Sequence, residues 1–324
     1  MTSRVRVFAP ATVANLGPGF DVLGLALGEP GDLLEAELSD RPGVEIVEVT
    51  GDGGLLSRDP ERNVAGRAAA DVLRRLHERD VMPGMGTGRR GPGVRLWLHK
   101  RMPLASGLGS SGASSAAGAA AVNELFGRPL SEHDLLLSAM EGERAASGAP
   151  HADNVAPSLM GGIVLIRSYD PLEILSLPVP PDLWVAVVHP HCAVATADAR
   201  TLVKERTYAL DQVVANLGNL AALVAALYRN DLGLLGRSIQ DRLVEPVRAR
   251  LIPGFGAVKS AALAAGALGC SIAGSGPSLF ALCDDGTLAE RVAATMRDAF
   301  QAEAALESDL FVGKVSTEGA RVLG

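Results

Sequence analysis

Val5 to Ala9 (VRVFA), a short and mostly apolar run, reads as an opening strand that ends at Pro10. Three further short runs, Val22 to Leu27 (VLGLAL), Leu33 to Leu38 (LLEAEL) and Val44 to Val49 (VEIVEV), are separated by turn residues and predict strands. A helical period begins at Asn63. Val64, Ala68, Val72 and Leu76 recur at helical spacing and predict a helix to Arg79. Val94 to Leu98 (VRLWL) returns to alternation, and a Gly/Ser-rich loop follows it. An alanine-rich helix is then expected from about Ser111 to Phe126, and another from about Glu132 to Ala146 with Ser131 as its N-cap.

Gly162 to Ile166 (GIVLI) and Trp184 to Val188 (WVAVV) have the length and apolarity of buried strands. Pro178, Pro180 and Pro181 between them suggest a boundary near 167–182, dividing an N-terminal domain (1–167) from a C-terminal one (168–324). The second half predicts helices over 198–206, 211–228, 231–242, 254–267 and 287–303, with a strand pair around Gly274-Ser-Gly-Pro. Helices and strands mix without regular βαβ alternation, so the expected class is α+β. No internal repeat or low-complexity tract is visible.

Composition narrows the function. The 324 residues are 48% hydrophobic and 21% charged, enough apolar material for a sizeable core. A net charge of −7 with no Lys/Arg block disfavours nucleic-acid binding. The one dense basic spot, Arg89-Arg90, lies in a Gly/Pro-rich insert, Met82 to Gly93, that reads as a surface loop. Cys192, Cys270 and Cys283 lack metal-site spacing and read as reduced thiols. The N-terminus has no apolar signal core, and no apolar run approaches the length of a bilayer span, so a cytoplasmic protein without membrane contact is expected.

The chemistry concentrates between Pro103 and Ala113, where a strand, a glycine loop and a helix succeed one another. Glycines allow positive φ and close approach of the backbone to a ligand. The first turn of the helix adds unpaired N–H groups and the positive end of its dipole, a setting for phosphate. A tight turn serving only close packing is the plain alternative. Gly107-Leu-Gly-Ser-Ser-Gly112 also satisfies the dinucleotide pattern G-x-G-x-x-G, but the next predicted element is a helix, not the second strand that pattern needs. No Walker A motif occurs.

Pro103 to Ser111 (P-x-x-x-G-L-G-S-S) resembles the second motif of the galactokinase, homoserine kinase, mevalonate kinase and phosphomevalonate kinase superfamily. Pro10 to Leu27 is similar to its first motif in the homoserine kinase form, and Ile272 to Ser278 to its third. His151 to Gly162 and Glu245 to Pro253 also resemble homoserine kinases, so the likeness spans residues 4 to 320. It implies an N-terminal domain like ribosomal protein S5 domain 2, a ferredoxin-like C-terminal domain and a homodimer. It further implies phosphorylation of L-homoserine by ATP to O-phospho-L-homoserine, a step toward threonine.

The resemblance also assigns residues. ATP would be held by Asn63 at the adenine and by Pro103, Leu104, Ala105, Ser106, Gly107, Leu108, Gly109, Ser110, Ser111, Gly112 and Ala113 at the phosphates. Ser111 and Glu143 would hold Mg²⁺. Arg200 and Arg248 would grip the substrate carboxylate, a task suited to arginine's planar fork. Asp21 would meet the ammonium, with Asn15, His151 and Asn154 around the substrate and its hydroxyl, and Thr196 near the transferred phosphate. Other superfamily members place an aspartate where this chain has Asn154. The expected mechanism therefore lacks a dedicated base, with His151 and Asp153 as rival bases. Ordinary roles stay open for these residues: Asn15 in a turn, Asp21 as a cap, Glu143 and the arginines as solvated helix charges. Gly112 replaces the usual alanine, and His189-Pro-His191 offers only two ligands for a metal. A sister kinase acting on another alcohol and a non-catalytic module are the rival functions.

Overall fold

The computed structural model describes residues 4–79, 92–147 and 150–323, without the side chains of 145–147 and 196–197. The insert at 82–93 therefore falls almost wholly outside the described residues. The first sheet has seven strands: β1 (Arg4–Ala14), β2 (Leu23–Ser39), β3 (Val44–Thr50), β4 (Gly93–His99), β5 (Ile163–Tyr169), β6 (Leu172–Leu177) and the C-terminal β11 (Arg321–Val322). Its order is β11-β1-β2-β4-β3, with β5 paired to β2 and β6 to β5. Against it lie α1 (Val64–Glu78), α2 (Ser110–Leu125), α3 (Glu132–Ser147) and α4 (Ala152–Met160), of which α2 and α4 rest on β1 and β2.

The second sheet is antiparallel and contains β7 (Trp184–Pro190), β8 (Gly269–Ile272), β9 (Leu279–Cys283) and β10 (Ser308–Lys314) in the order β10-β7-β9-β8. In chain order that is 4-1-3-2, the ferredoxin-like arrangement. Its helices are α5 (Thr196–Lys204), α6 (Leu210–Arg229), α7 (Leu232–Ser238), α8 (Glu245–Arg248), α9 (Phe255–Ala264) and α10 (Gly286–Ala304). The α+β class is as expected. A line drawn after residue 167 falls inside β5, whereas strand membership passes from one sheet to the other between β6 and β7.

Several element boundaries differ from expectation for physical reasons. β1 runs through Pro10 because its register with β2 shifts between Pro10 and Thr12, an irregularity where the missing N–H is tolerated. The two strands expected at 22–27 and 33–38 are one, and Gly28-Glu-Pro-Gly31 bends it without ending it. Most of His151 to Gly162 is helical. His151 is the N-cap of α4, which continues through Pro157. The expected helix 231–242 ends at Ser238, after which Asp241 accepts from the backbone N–H groups of Leu243, Val244 and Glu245 and starts α8.

The alanine and glycine content of α2 is a packing requirement. A Cβ on Gly118 would lie 2.6 Å from the Ala65 carbonyl oxygen of α1. One on Gly142 of α3 would lie 2.5 Å from both Ser115 Oγ and the Val64 carbonyl oxygen. Small residues let three helices approach nearly backbone to backbone, which brings Glu143 of α3 toward the start of α2. Among the described residues, α6 alone is long and apolar enough by length and composition to cross a membrane, with mean hydropathy 1.5. The sequence reading had expected no run of that length.

Candidate active site

The Gly/Ser loop is shaped by left-handed backbone at Ala105 (φ 53°), Gly107 (81°) and Gly109 (67°). Close contacts demand the two glycines as well. A Cβ on Gly109 would lie 2.0 Å from Thr12 Oγ1, and one on Gly107 would lie 2.4 Å from the Ala273 carbonyl oxygen. Thr12 N–H donates to the Leu108 carbonyl at 3.0 Å, and Ser278 N–H to the Ser106 carbonyl at 3.2 Å. The loop is thus held by β1 on one side and by the turn between β8 and β9 on the other. Ser110 opens α2, and its buried Oγ has no hydrogen-bond partner among the described residues.

Beneath the helix start lies a charge that sequence reasoning did not identify. Lys100, wholly buried, pairs with the carboxylate of Asp32 on β2, and its ammonium also donates to the Ser110 carbonyl (2.9 Å) and Ser114 Oγ (2.7 Å). Ser114 in turn donates to Asp32 at 2.8 Å. Burial pushes the Lys100 pKa down and the Asp32 charge opposes it. The sequence carries no sign of the pair by itself: Asp32 follows the turn residues Gly28 to Gly31, and Lys100 directly follows the alternating strand.

Loop, helices and second domain enclose one cavity of about 340 Å³. Of the expected residues, Asn15, Asp21, Asn63, Leu104 to Gly107, Gly109 to Ser111, Glu143, His151, Asn154, Arg200 and Arg248 line it, and so does Asp153. Pro103, Leu108, Gly112 and Ala113 support the loop from behind and do not line the cavity. Thr196 opens α5, but its side chain lies outside the described residues. Asn63 caps α1 and bonds within its own chain. Its amide oxygen accepts from Ala65 N–H at 3.0 Å, and its NH₂ donates to the Ser57 carbonyl at 2.9 Å.

At the other end, Arg200 donates to Asp21 and stacks with Arg248 around Phe20, whose ring centroid is 5.8 and 5.0 Å from the two guanidinium carbons. Arg248 is buried (4% exposed), contrary to the reading of a solvated helix charge, and donates to the Gly274 carbonyl at 2.8 Å. Asn15 donates to the same carbonyl at 2.8 Å and accepts from Asp21 N–H at 3.0 Å. Glu143 is also buried, and its carboxylate lies 3.3 Å from His151 Nδ1. Thr12 Oγ1 donates to Asn154 Oδ1 at 2.8 Å, which leaves the Asn154 NH₂ as a donor.

Two neighbouring groups titrate unusually. Burial and the Asp21 charge push Asp153 up to about 7, against the pull of His151 and Arg200. Burial lowers His151, but its bond to Glu143 and the charges of Asp153 and Glu143 outweigh it and raise the pKa above 6.5. Asp153 Oδ1, Arg200 Nε and Arg248 Nε are buried without hydrogen-bond partners among the described residues. No cluster of three or more metal-ligating side chains occurs among them either, and His189 is instead bonded to Ser278 Oγ at 3.0 Å.

Comparison with known proteins adds to this geometry. Residues 63–162 match the family described as GHMP kinases N terminal domain, and residues 223–302 match GHMP kinases C terminal. The chain is 46% identical over 324 residues to a homoserine kinase of Chloroherpeton thalassium, covering 99% of each. It is 46% identical over 325 residues to a homoserine kinase of Chlorobium phaeobacteroides, covering 98% of this chain and 99% of that one. The crystal structure of homoserine kinase from Cytophaga hutchinsonii superposes with a TM-score of 0.92 at 49% identity, covering 100% of this chain and 98% of that one.

Proposed function

The chain belongs to the homoserine kinases of the GHMP kinase family, and from that premise we propose that it transfers the γ-phosphoryl group of ATP to the hydroxyl of L-homoserine. The observation that carries this reading is the content of this cavity. A glycine loop at a helix N-terminus shares it with one carboxylate oxygen and two guanidinium nitrogens that are buried and unpartnered. Unsatisfied buried polar atoms are costly, and a zwitterionic amino acid supplies a partner to each. Mevalonate and galactose have no ammonium, which disfavours a sister kinase.

In this reading the loop amides and the first turn of α2 cradle the triphosphate. Ser111 and Glu143 would hold Mg²⁺, and the donor set fits, because one hydroxyl and one carboxylate leave room for the phosphate oxygens and water that this ion prefers. When bound, the metal neutralises charge on the phosphates. Arg200 and Arg248 take the substrate carboxylate, and Asp21, released from Arg200, takes the ammonium. Asn15 holds the Asp21 backbone in place.

Asn154, its carbonyl occupied by Thr12, presents its NH₂ to the reacting hydroxyl and orients it. An amide cannot act as a base at neutral pH, so the hydroxyl proton passes to a γ-phosphate oxygen, a route suited to a loose phosphoryl-transfer transition state. Glu143 sets the orientation of the His151 ring. The enzyme so described works in the cytoplasm and supplies threonine biosynthesis. A coupled assay of ADP release with L-homoserine and Mg-ATP tests the proposal. Release should depend on homoserine and stay at background with mevalonate or galactose; homoserine-independent turnover would overturn it.

A further inference from the structure

Helix α8, Glu245 to Arg248, is a single turn. One turn has no stability of its own, so its contacts must set its orientation. Two of its side chains reach β8 and the turn after it in step. Ser271 Oγ donates to Glu245 Oε2 at 2.5 Å, and Arg248 donates to the Gly274 carbonyl at 2.8 Å. Each partner lies 26 residues further along the chain, so α8 and β8 run in the same direction and in register. Lys259 of α9 completes the arrangement by donating to Glu245 Oε1 at 2.5 Å. Both oxygens of the Glu245 carboxylate are thus engaged, and the side chain is 11% exposed. Glu245 is not among the residues around Arg248 in the cavity described above. It lines a separate cavity of about 320 Å³, together with Lys259 and Cys270.

We propose that Glu245 is a positioning residue for the acceptor: tied to Ser271 and Lys259, it fixes the rotation of α8 so that the Arg248 guanidinium meets the substrate carboxylate. This rests on the reading of Arg248 as a carboxylate partner. A fork-like grip on a carboxylate needs the guanidinium plane held within a narrow angle. The bond to Gly274 holds one nitrogen of Arg248, and Nε has no partner among the described residues. With the Glu245 end of the turn released, the guanidinium could swing about that bond. Asp241 ties the backbone where the turn begins, and Glu245 ties the turn to the sheet. The plain alternative is a pair that only fastens α9 to α8, which would cost stability and weaken both substrates alike.

Steady-state kinetics of Glu245→Ala and Ser271→Ala, each alone and combined with Arg248→Ala, test the inference, with thermal melts as a check on folding. Glu245→Ala should lower kcat/KM for homoserine by on the order of ten- to a hundredfold, the scale of a misplaced binding group, and leave KM for ATP within about twofold. In the Arg248→Ala background the same change should cost less than about threefold, because the group it positions is gone. Ser271→Ala, which removes one of the two ties, should follow the same pattern with a smaller loss, and carries the cycle if Glu245→Ala does not fold. Equal losses in both backgrounds, a parallel rise in KM for ATP, or normal kcat/KM for homoserine in the single variants overturn the proposal. Wild-type ADP release with homoserine is measured first. Its absence overturns the enzymatic reading, whereas wild-type turnover with any of those three outcomes overturns this inference alone.

Discussion

Arg200 donates to both carboxylate oxygens of Asp21, at 2.9 and 3.0 Å. Two groups assigned to opposite ends of an amino acid therefore neutralise each other in the free site. A substrate must exchange that pair for two new ones, its carboxylate displacing Asp21 and its ammonium displacing Arg200. The resting pair keeps a half-buried charge satisfied and still leaves Arg200 Nε open to a ligand.

Removing either member should weaken substrate binding. Arg200→Ala and Asp21→Ala are each expected to cost about 1.5–3 kcal/mol, the scale of hydrogen bonds to charged groups, or roughly 10- to 150-fold in KM for homoserine. KM for ATP should hardly change. The double variant should cost less than the sum, because each single variant also strands the other charge. Steady-state kinetics of the three variants measure this.

Ser111→Ala should lower kcat by roughly 10²–10³ if the hydroxyl serves the developing charge, the range typical of one lost preorganised donor. Ser111 is exposed to the cavity, so its thermal melt should stay at the wild-type value. Normal turnover would remove Ser111 from the metal site.

The fate of the proton separates two mechanisms. With the γ-phosphate as acceptor, Asn154→Ala should reduce kcat strongly, and His151→Gln should keep it within about tenfold, below the range typical of a lost general base. A large fall in kcat for His151→Gln with homoserine affinity unchanged would make His151 the base.

Lys100→Met should destabilise the fold by about 3–5 kcal/mol, because it leaves the Asp32 carboxylate buried without its cation. Lys100→Met combined with Asp32→Asn should recover part of the loss. Urea denaturation of both variants checks the pairing.

Stability should fall as pH rises toward neutrality. Asp153 keeps its proton to about 7 in the folded chain against 3.8 in the unfolded one. Between those values the folded state binds the extra proton, so stability is full at the acid end and declines until pH 7. His151, with its pKa raised above 6.5, adds a loss of the same sign as pH passes through its folded value. Asp153→Asn should flatten the profile of Tm between pH 4 and 8.

The motifs were legible because they lie in short contiguous runs whose spacing carries the chemistry, as Gly107, Gly109 and Ser110 show. The proposed substrate residues were legible as a set only through the resemblance, since Asp21, His151, Arg200 and Arg248 come from four separate segments and meet in one cavity. What escaped was decided by tertiary contact. Lys100 and Asp32 meet across β4 and β2, and neither alone differs from a surface charge. The bond from Thr12 of β1 to Asn154 of α4, 142 residues apart in the chain, has no signal in either segment. Gly28 to Gly31 carries every turn signal, yet pairing with β1, β4 and β5 holds β2 together on both sides of it.

Gly107 and Gly274 meet with almost no space between their backbones, one in the loop after β4 and the other in the turn between β8 and β9. The proposed nucleotide cradle is therefore a joint built from both halves of the chain, and its shape cannot be encoded by the N-terminal motif alone. Any shift of one half against the other is felt at once where the phosphates would rest. Exchanging motifs between relatives should fail unless both glycine turns travel together.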